Sequence, residues 1–248
     1  MSIWEAYQRR MGVQGLTKRE STLKREFHFL NTKLKDNLSY FDVLIDDKPQ
    51  GVAIINSDNL NEKKMYSLHG DDIKCGSMVK WQDNYWLVVE KDANNEVYTR
   101  TKLLQCNHLL KWVDDDNVIH EQWCVIEDGT KYLVGELEDR NFVVTRGDSR
   151  VAMTIAKNEH TIKLNRKNRF LINDPDSGSN DKVAYLLTKP LKVGKTYQGE
   201  GIYSFVLQEV VSTEDDNIEL GIADYYKHFP KNTTEEKVDK TDERKVWL

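Results

Sequence analysis

Six histidines, three cysteines and a few short acidic runs are the side chains of this 248-residue sequence that could do chemistry, and their spacing limits what that chemistry is. His28, His69, His108, His120, His160 and His228 are scattered; no pair has metal-ligand spacing, and none sits beside a cysteine in a zinc pattern. His69-Gly70-Asp71-Asp72 sets an imidazole beside carboxylates, but catalysis needs a third positioned group, so the pair reads as a surface turn. Cys106-Asn107-His108 brings a thiol near an imidazole along the chain. On a strand or tight turn, residues two apart need not converge on a substrate, so Cys106 reads as core. Cys75, Cys106 and Cys124 are an odd set without a CxxC pair, which reads as reduced, buried small hydrophobes. Asn56-Ser57-Asp58-Asn59 offers oxygens but lacks the ligand spacing and terminal Glu of a calcium loop. Arg146-Gly147-Asp148 matches an integrin ligand but reads as a turn in a chain with no secretory signal. There is no nucleophile elbow, Walker loop or dinucleotide fingerprint. The expectation is a protein that is not an enzyme, with no catalytic residue, cofactor or metal.

The elements that would position these residues are mostly strands. From Ile73 to Trp112 the pattern is a β-meander: Val79 and Trp81, then Trp86, Val88 and Glu90, alternate on either side of a Gln82-Asp83-Asn84 turn. Asp92-Ala93-Asn94-Asn95 supplies a second turn, and Val97, Tyr98, Thr99 and Thr101 resume strand chemistry. Upstream, Tyr40, Val43 and Ile45 lead through Asp46-Asp47-Lys48-Pro49 into Val52-Ala53-Ile54-Ile55, a hairpin. Downstream, Asp114-Asp115-Asp116 is an acidic hairpin turn, followed by Val118-Ile119 and by Trp123 to Ile126. Asp128-Gly129 and the returning Lys131 to Val134 predict another hairpin. Short strands, tight turns and large aromatics predict small closed or nearly closed barrels. The stretch 161–189 repeats the grammar of 73–91: an apolar-Lys pair, a polar turn, an aromatic strand, a second turn and a Tyr-apolar-apolar strand. Its turn is enlarged at 174–181, and Gly201 to Glu209 takes the part of the closing strand.

Ahead of the strands, Ile3, Trp4, Tyr7 and Met11 have helical spacing. Thr17 and Glu20 form a capping box, and Leu16, Leu23, Phe27, Leu30 and Leu34 make an apolar stripe. This helix reads either as packed on its own domain or as a basic arm that docks on a partner or lies near nucleic acid. The predicted fold class is mainly β: two small barrel-like modules with helical N-terminal elements and a polar C-terminal tail. The expected boundaries are 1–37 for the basic helical region, 38–145 and 146–229 for the two β-modules, and 230–248 for the tail.

A net charge of −5 argues against a dedicated duplex-DNA binder. The average hides an asymmetry. Residues 1–35 hold eight basic and three acidic side chains, a local +5, which leaves −10 for the rest. Trp81, Tyr85, Trp86 and Tyr98 are candidate stacking platforms for single-stranded nucleic acid. Asp83, Glu90, Asp92 and Glu96 lie among them, however, where a phosphate-tracking groove should be positive. No apolar run is long enough for a membrane helix, and the start lacks a signal-peptide core, so folding in a cytoplasm is expected.

At Ser39-Tyr40, at VAIINSDNLNE (52–62), at CNHLLKW (106–112) and at LGIADYY (220–226) the chain resembles a group of virion structural proteins of tailed bacteriophages, associated with the head–tail connector or neck. The resemblance runs from about Leu38 to Tyr226. It implies a non-enzymatic β-barrel subunit that assembles in a ring between portal and tail, around the channel through which genomic DNA passes without sequence-specific binding. The implied partners are copies of itself and portal, adaptor or tail proteins, with no membrane. The implied location is the virion, after assembly in the host cytoplasm. Arg9, Arg10, Lys18, Arg19, Lys24 and Arg25, with Trp247 in the tail, are the candidate partner-binding residues. The alternative from another class is an OB-like nucleic-acid-binding barrel with a basic N-terminal arm.

Overall fold

The computed structural model describes residues 3, 4, 7, 17–68, 70–92, 94–128, 150–172, 183–197 and 199–230. Strands β1 (Tyr40–Ile45), β2 (Lys48–Asn56), β3 (Glu62–Leu68), β4 (Met78–Trp81), β5 (Asn84–Lys91) and β6 (Tyr98–Gln105) close a barrel in the order β1-β2-β3-β6-β5-β4. A second sheet follows, from β7 (His108–Val113), β8 (Ile119–Asp128), β9 (Arg150–Ala156), β10 (Arg169–Ile172), β11 (Val183–Leu191) and β13 (Glu200–Val210). Its order is β10-β11-β13-β9-β8-β7, with β12 (Thr196–Tyr197) paired only to β13. With β12 set aside, the second sheet repeats the first strand for strand. The resemblance between 73–91 and 161–189 therefore falls on topologically equivalent pairs, β4–β5 and β10–β11.

The local reasons are visible in the turns. Asp46 and Asp47 both have positive φ, 47° and 64°, the mirror-image turn whose twist matches that of antiparallel strands. Alternation places Val79, Trp86 and Val88 in the first barrel's core with Val43, Ile45, Val52, Ile54, Met65 and Leu103. The second unit closes on Leu110, Trp112, Met153, Phe170, Phe205 and Leu207, which bring β7 and β10 together although they share no ladder.

The module boundary differs from the one expected at 145/146. β7 and β8 ladder with each other and then with β9, so residues 108–128 belong to the second unit. Asn107 makes the handover. Its side-chain amide accepts from Ile126 N (2.8 Å) and donates to Ile126 O (2.7 Å), standing in for a strand peptide and pinning the chain to β8 as it leaves β6. Strand alternation is the same in either sheet, so nothing local marks that change of partner.

Helix α1 (Lys18–Lys33) starts at Thr17, whose Oγ1 accepts from Glu20 N at 3.2 Å, the first half of the expected capping box. A short helix α2 (Tyr225–His228) follows the last strand, and a single 3-10 turn spans Thr161–Lys163. Among the described residues no helix is long and apolar enough to cross a membrane. His69, the returning strand 131–134, the 146–148 tripeptide, the enlarged turn 174–181 and the tail 231–248 lie outside the described residues.

Candidate functional site

The two units meet along a seam built from the outward side of β5. Leu87 and Val89 leave the first barrel on the face opposite Trp86 and Val88. They are buried against Cys75, Cys106, Val125, Ala156 and Ile202. Tyr85 stacks on Trp123 of β8 at 4.7 Å between ring centroids and 16° between planes. At the centre the backbones touch: Gly201 N donates to Cys75 O (2.8 Å), and Lys157 N donates to Gly201 O (3.0 Å). Beside the seam opens a cleft of about 690 Å³, whose charged lining includes Asp46, Asp47, Lys74, Lys80, Glu121 and Lys157. Both signs line it. Gln122 accepts from Asn158 Nδ2 at 2.7 Å, and Lys74 Nζ lies 3.8 Å from Glu200, so the cleft presents no field of a single sign to an anion or a cation.

All three thiols are free and buried, as their core reading requires. Burial pushes the Cys75 thiol up, and its Sγ donates to Val89 O at 3.2 Å. Burial raises Cys106 to about 12, and it raises Cys124 as well. A nucleophile or metal ligand must be a thiolate, so these thiols are inert in the fold. In the native protein at neutral pH, maleimide labelling should be slower than in urea by at least about 100-fold, as the buried, protonated thiols dictate; rapid native labelling would contradict the packing. Burial also pushes His108 down.

Arg169, the first residue of β10, clamps the chain after β13. Its Nη1 donates to Thr213 Oγ1 (3.0 Å), Asp216 Oδ1 (3.0 Å) and Asp224 Oδ1 (2.7 Å). Its Nη2 donates to Val211 O (3.1 Å) and Asp216 Oδ2 (3.0 Å). The Asp216 side chain is 0% exposed and also accepts from Thr213 N and Asp224 N. Burial alone would raise its carboxyl, but the two backbone N–H groups and the guanidinium outweigh that and hold it below the ordinary range.

The basic residues expected to meet a partner are placed as follows. Lys18, Arg19, Lys24 and Arg25 are all exposed on α1, no residue of which is buried. Arg19 pairs with Glu96 ahead of β6, and Arg25 lies 3.5 Å from its neighbour Glu26. The stripe of Leu23, Phe27, Leu30 and Leu34 is only half-buried, and Phe29 is exposed. Arg9, Arg10 and Trp247 lie outside the described residues. The candidate stacking aromatics are committed elsewhere. Trp86 is buried, Trp81 packs on it and on Phe41, Tyr85 belongs to the seam, and Tyr98 lies against Tyr66.

One cluster escaped the spacing argument. His120 Nε2 lies 2.7 Å from Asp114 Oδ2, and the His160 ring stacks on His120 at 4.1 Å. Asp114 and His120 meet across the acidic hairpin turn, while His160 comes from the turn after β9. The Asp114 carboxyl is held at about 2, chiefly by His120, with help from the Val118 and Asp116 N–H groups. The one available signal was Asp114 at the head of a hairpin whose returning strand carries His120; the forty residues to His160 are closed only by the sheet.

The architecture defines a class: two topologically equivalent antiparallel β-units, sharing a glycine-pinned seam, with a basic helix at the front. Residues 16–105, rather more than a third of the chain, match the family model described as the YomX N-terminal domain, a phage-derived family. That match ends at the last residue of β6, so it covers α1 and the whole first barrel and stops where Asn107 hands the chain over. No curated protein matches the chain in sequence. Among solved structures, MrkH, described as a novel c-di-GMP-dependent transcription regulatory factor, aligns over 80% of this chain and 88% of its own. Its identity is 8% and its TM-score 0.22, and at that score the likeness carries no argument.

Proposed function

We propose that this chain is a non-enzymatic structural subunit of a phage virion, part of the head–tail connector ring that joins portal to tail around the DNA channel. The observation that carries the reading is helix α1: a basic helix with no buried residue and an apolar stripe its own barrels leave half-covered, in a segment matched by a phage-derived family. An amphipathic helix whose stripe is only half-covered is a natural docking element, because burying the rest of that stripe on a neighbour stabilises helix and complex together. The closed first barrel and the second sheet supply a firm body, since each packs around its own core and a buried seam joins them. The acidic balance outside the first 35 residues lets DNA slide past, because phosphate binding needs positive charge.

Electron microscopy and native mass spectrometry of the purified complex test this directly. A closed ring of this chain, alone or with portal and tail proteins, is the expected result. A monomer that shifts single-stranded DNA, with affinity falling by orders of magnitude between low and physiological salt, would overturn it in favour of a nucleic-acid-binding barrel. Deleting residues 1–35 is expected to abolish docking while leaving thermal unfolding and circular dichroism of the barrels nearly unchanged. Normal assembly of the truncated chain would remove α1 from the interface.

A further inference from the structure

We propose that Asp114, His120 and His160 form a binding site for one divalent cation of the zinc type, tying the β7–β8 hairpin to the turn after β9. One ligand atom from each residue lies within 4.8 Å of the other two, a spread that small side-chain rotations bring to the roughly 2 Å metal–ligand distances of zinc. Two imidazole nitrogens and one carboxylate oxygen suit zinc, cobalt or nickel, whereas calcium and magnesium require a shell of oxygens.

The surroundings are arranged as a ligand set requires. Asp114 Oδ1 accepts the N–H groups of Asp116 and Val118, both at 2.9 Å, which fixes the carboxylate and leaves Oδ2 to face His120. Trp112 packs 5.5 Å from the His120 ring and holds its plane. The His160 turn is braced by Asn158, whose Oδ1 accepts from His160 N (3.0 Å) and Thr161 N (2.8 Å), and by Thr161 Oγ1 donating to Ala156 O (2.9 Å). Outer contacts of this kind orient first ligands and set their affinity. Lys163 is the opposing charge, with Nζ 3.8 Å from Asp114 Oδ2. Its closer partner is Asp116 at 3.1 Å and its side chain is half exposed, so it withdraws towards Asp116 when a cation enters. With three protein ligands, water completes the coordination.

The test uses the full chain, stripped with chelator and titrated with zinc chloride by calorimetry, with cobalt chloride as a spectroscopic probe. Expected are one saturable site per chain, a melting temperature that rises with free zinc, and a cobalt absorption band indicating nitrogen–oxygen ligation. His160 is exposed, so His160→Ala and His160→Gln should fold normally, yet weaken zinc binding by more than about 100-fold, beyond the usual cost of losing an outer contact. His28→Ala, on α1, should leave binding unchanged. No saturable binding, binding that survives both His160 variants, or binding lost in His28→Ala would each overturn the site.

Discussion

Replacing Gly76 with alanine should lower stability by about 3 kcal/mol and loosen one barrel from the other. The Gly76 φ of +97° costs an L-residue roughly 1–2 kcal/mol by itself. The added Cβ would also lie 2.3 Å from the carbonyl oxygen of Gly201, which belongs to the other unit and cannot retreat without breaking its hydrogen bond from Lys157 N. Overpacking of this kind adds roughly 1–3 kcal/mol. Gly201→Ala would instead strain the second unit from within, since its Cβ would meet Lys195 O at 2.2 Å with φ at +134°, beside the strand that donates across the seam to Cys75 O. Denaturant unfolding followed separately by the fluorescence of Trp86 and Trp112 would read the effect; single-tryptophan versions make the probes specific. In the wild type the two transitions should coincide, because the buried seam couples the units. In Gly76→Ala they should separate. Separate transitions in the wild type would show that the seam does not couple the units, and unchanged midpoints in Gly76→Ala would show that the close approach to Gly201 is not needed for stability.

Arg169→Met should destabilise the protein by about 3–5 kcal/mol, the usual cost of stranding one member of a buried ion pair. The methionine keeps most of the side chain's volume but leaves Asp216, with its fully buried side chain, holding two backbone N–H groups and no cation. Asp224 loses one of its two cations and keeps Lys227 at 2.7 Å. Loss of the clamp should free the segment from Val211 to Phe229, read as early proteolytic cleavage there while the barrels survive. The pH dependence has a definite sign. Asp216 titrates lower in the folded chain than in the unfolded one, so its contribution is complete above about pH 4 and is lost as pH falls through the folded value. Asp216→Asn should therefore flatten the acid limb of the stability curve. An unchanged acid limb would mean that other carboxylates drive acid unfolding.

The clamp also shows where reading the sequence runs short. Glu214-Asp215-Asp216-Asn217 has the composition of a solvated turn, and two of its residues bear that out: Glu214 is exposed and Asp215 half-exposed. Asp216 differs because Arg169, 47 positions away, arrives through the β10–β11–β13 ladder. His160 is the same case: it joins Asp114 and His120 only because β8 and β9 are neighbours in the sheet. On β5 the alternation correctly places Trp86 and Val88 inside. It cannot show that Leu87 and Val89 are buried as well, because a strand covered on both faces shows that only once its neighbour is in place.

From its own pattern, then, this chain determined its β class, its tight turns at Asp46-Asp47 and Gln82-Asp83, the buried faces of its strands, its inert thiols, the capped basic helix and the kinship of 73–91 with 161–189. These follow from interactions within a few residues: alternation, turn chemistry, capping and burial of small apolar groups. The tertiary structure alone decided that 108–128 belongs with the second unit, that the two units lock at Gly76 and Gly201, that Arg169 holds the C-terminal segment, and that Asp114, His120 and His160 share one corner. Each depends on which strand pairs with which, and period-two alternation reads the same whatever the partner strand.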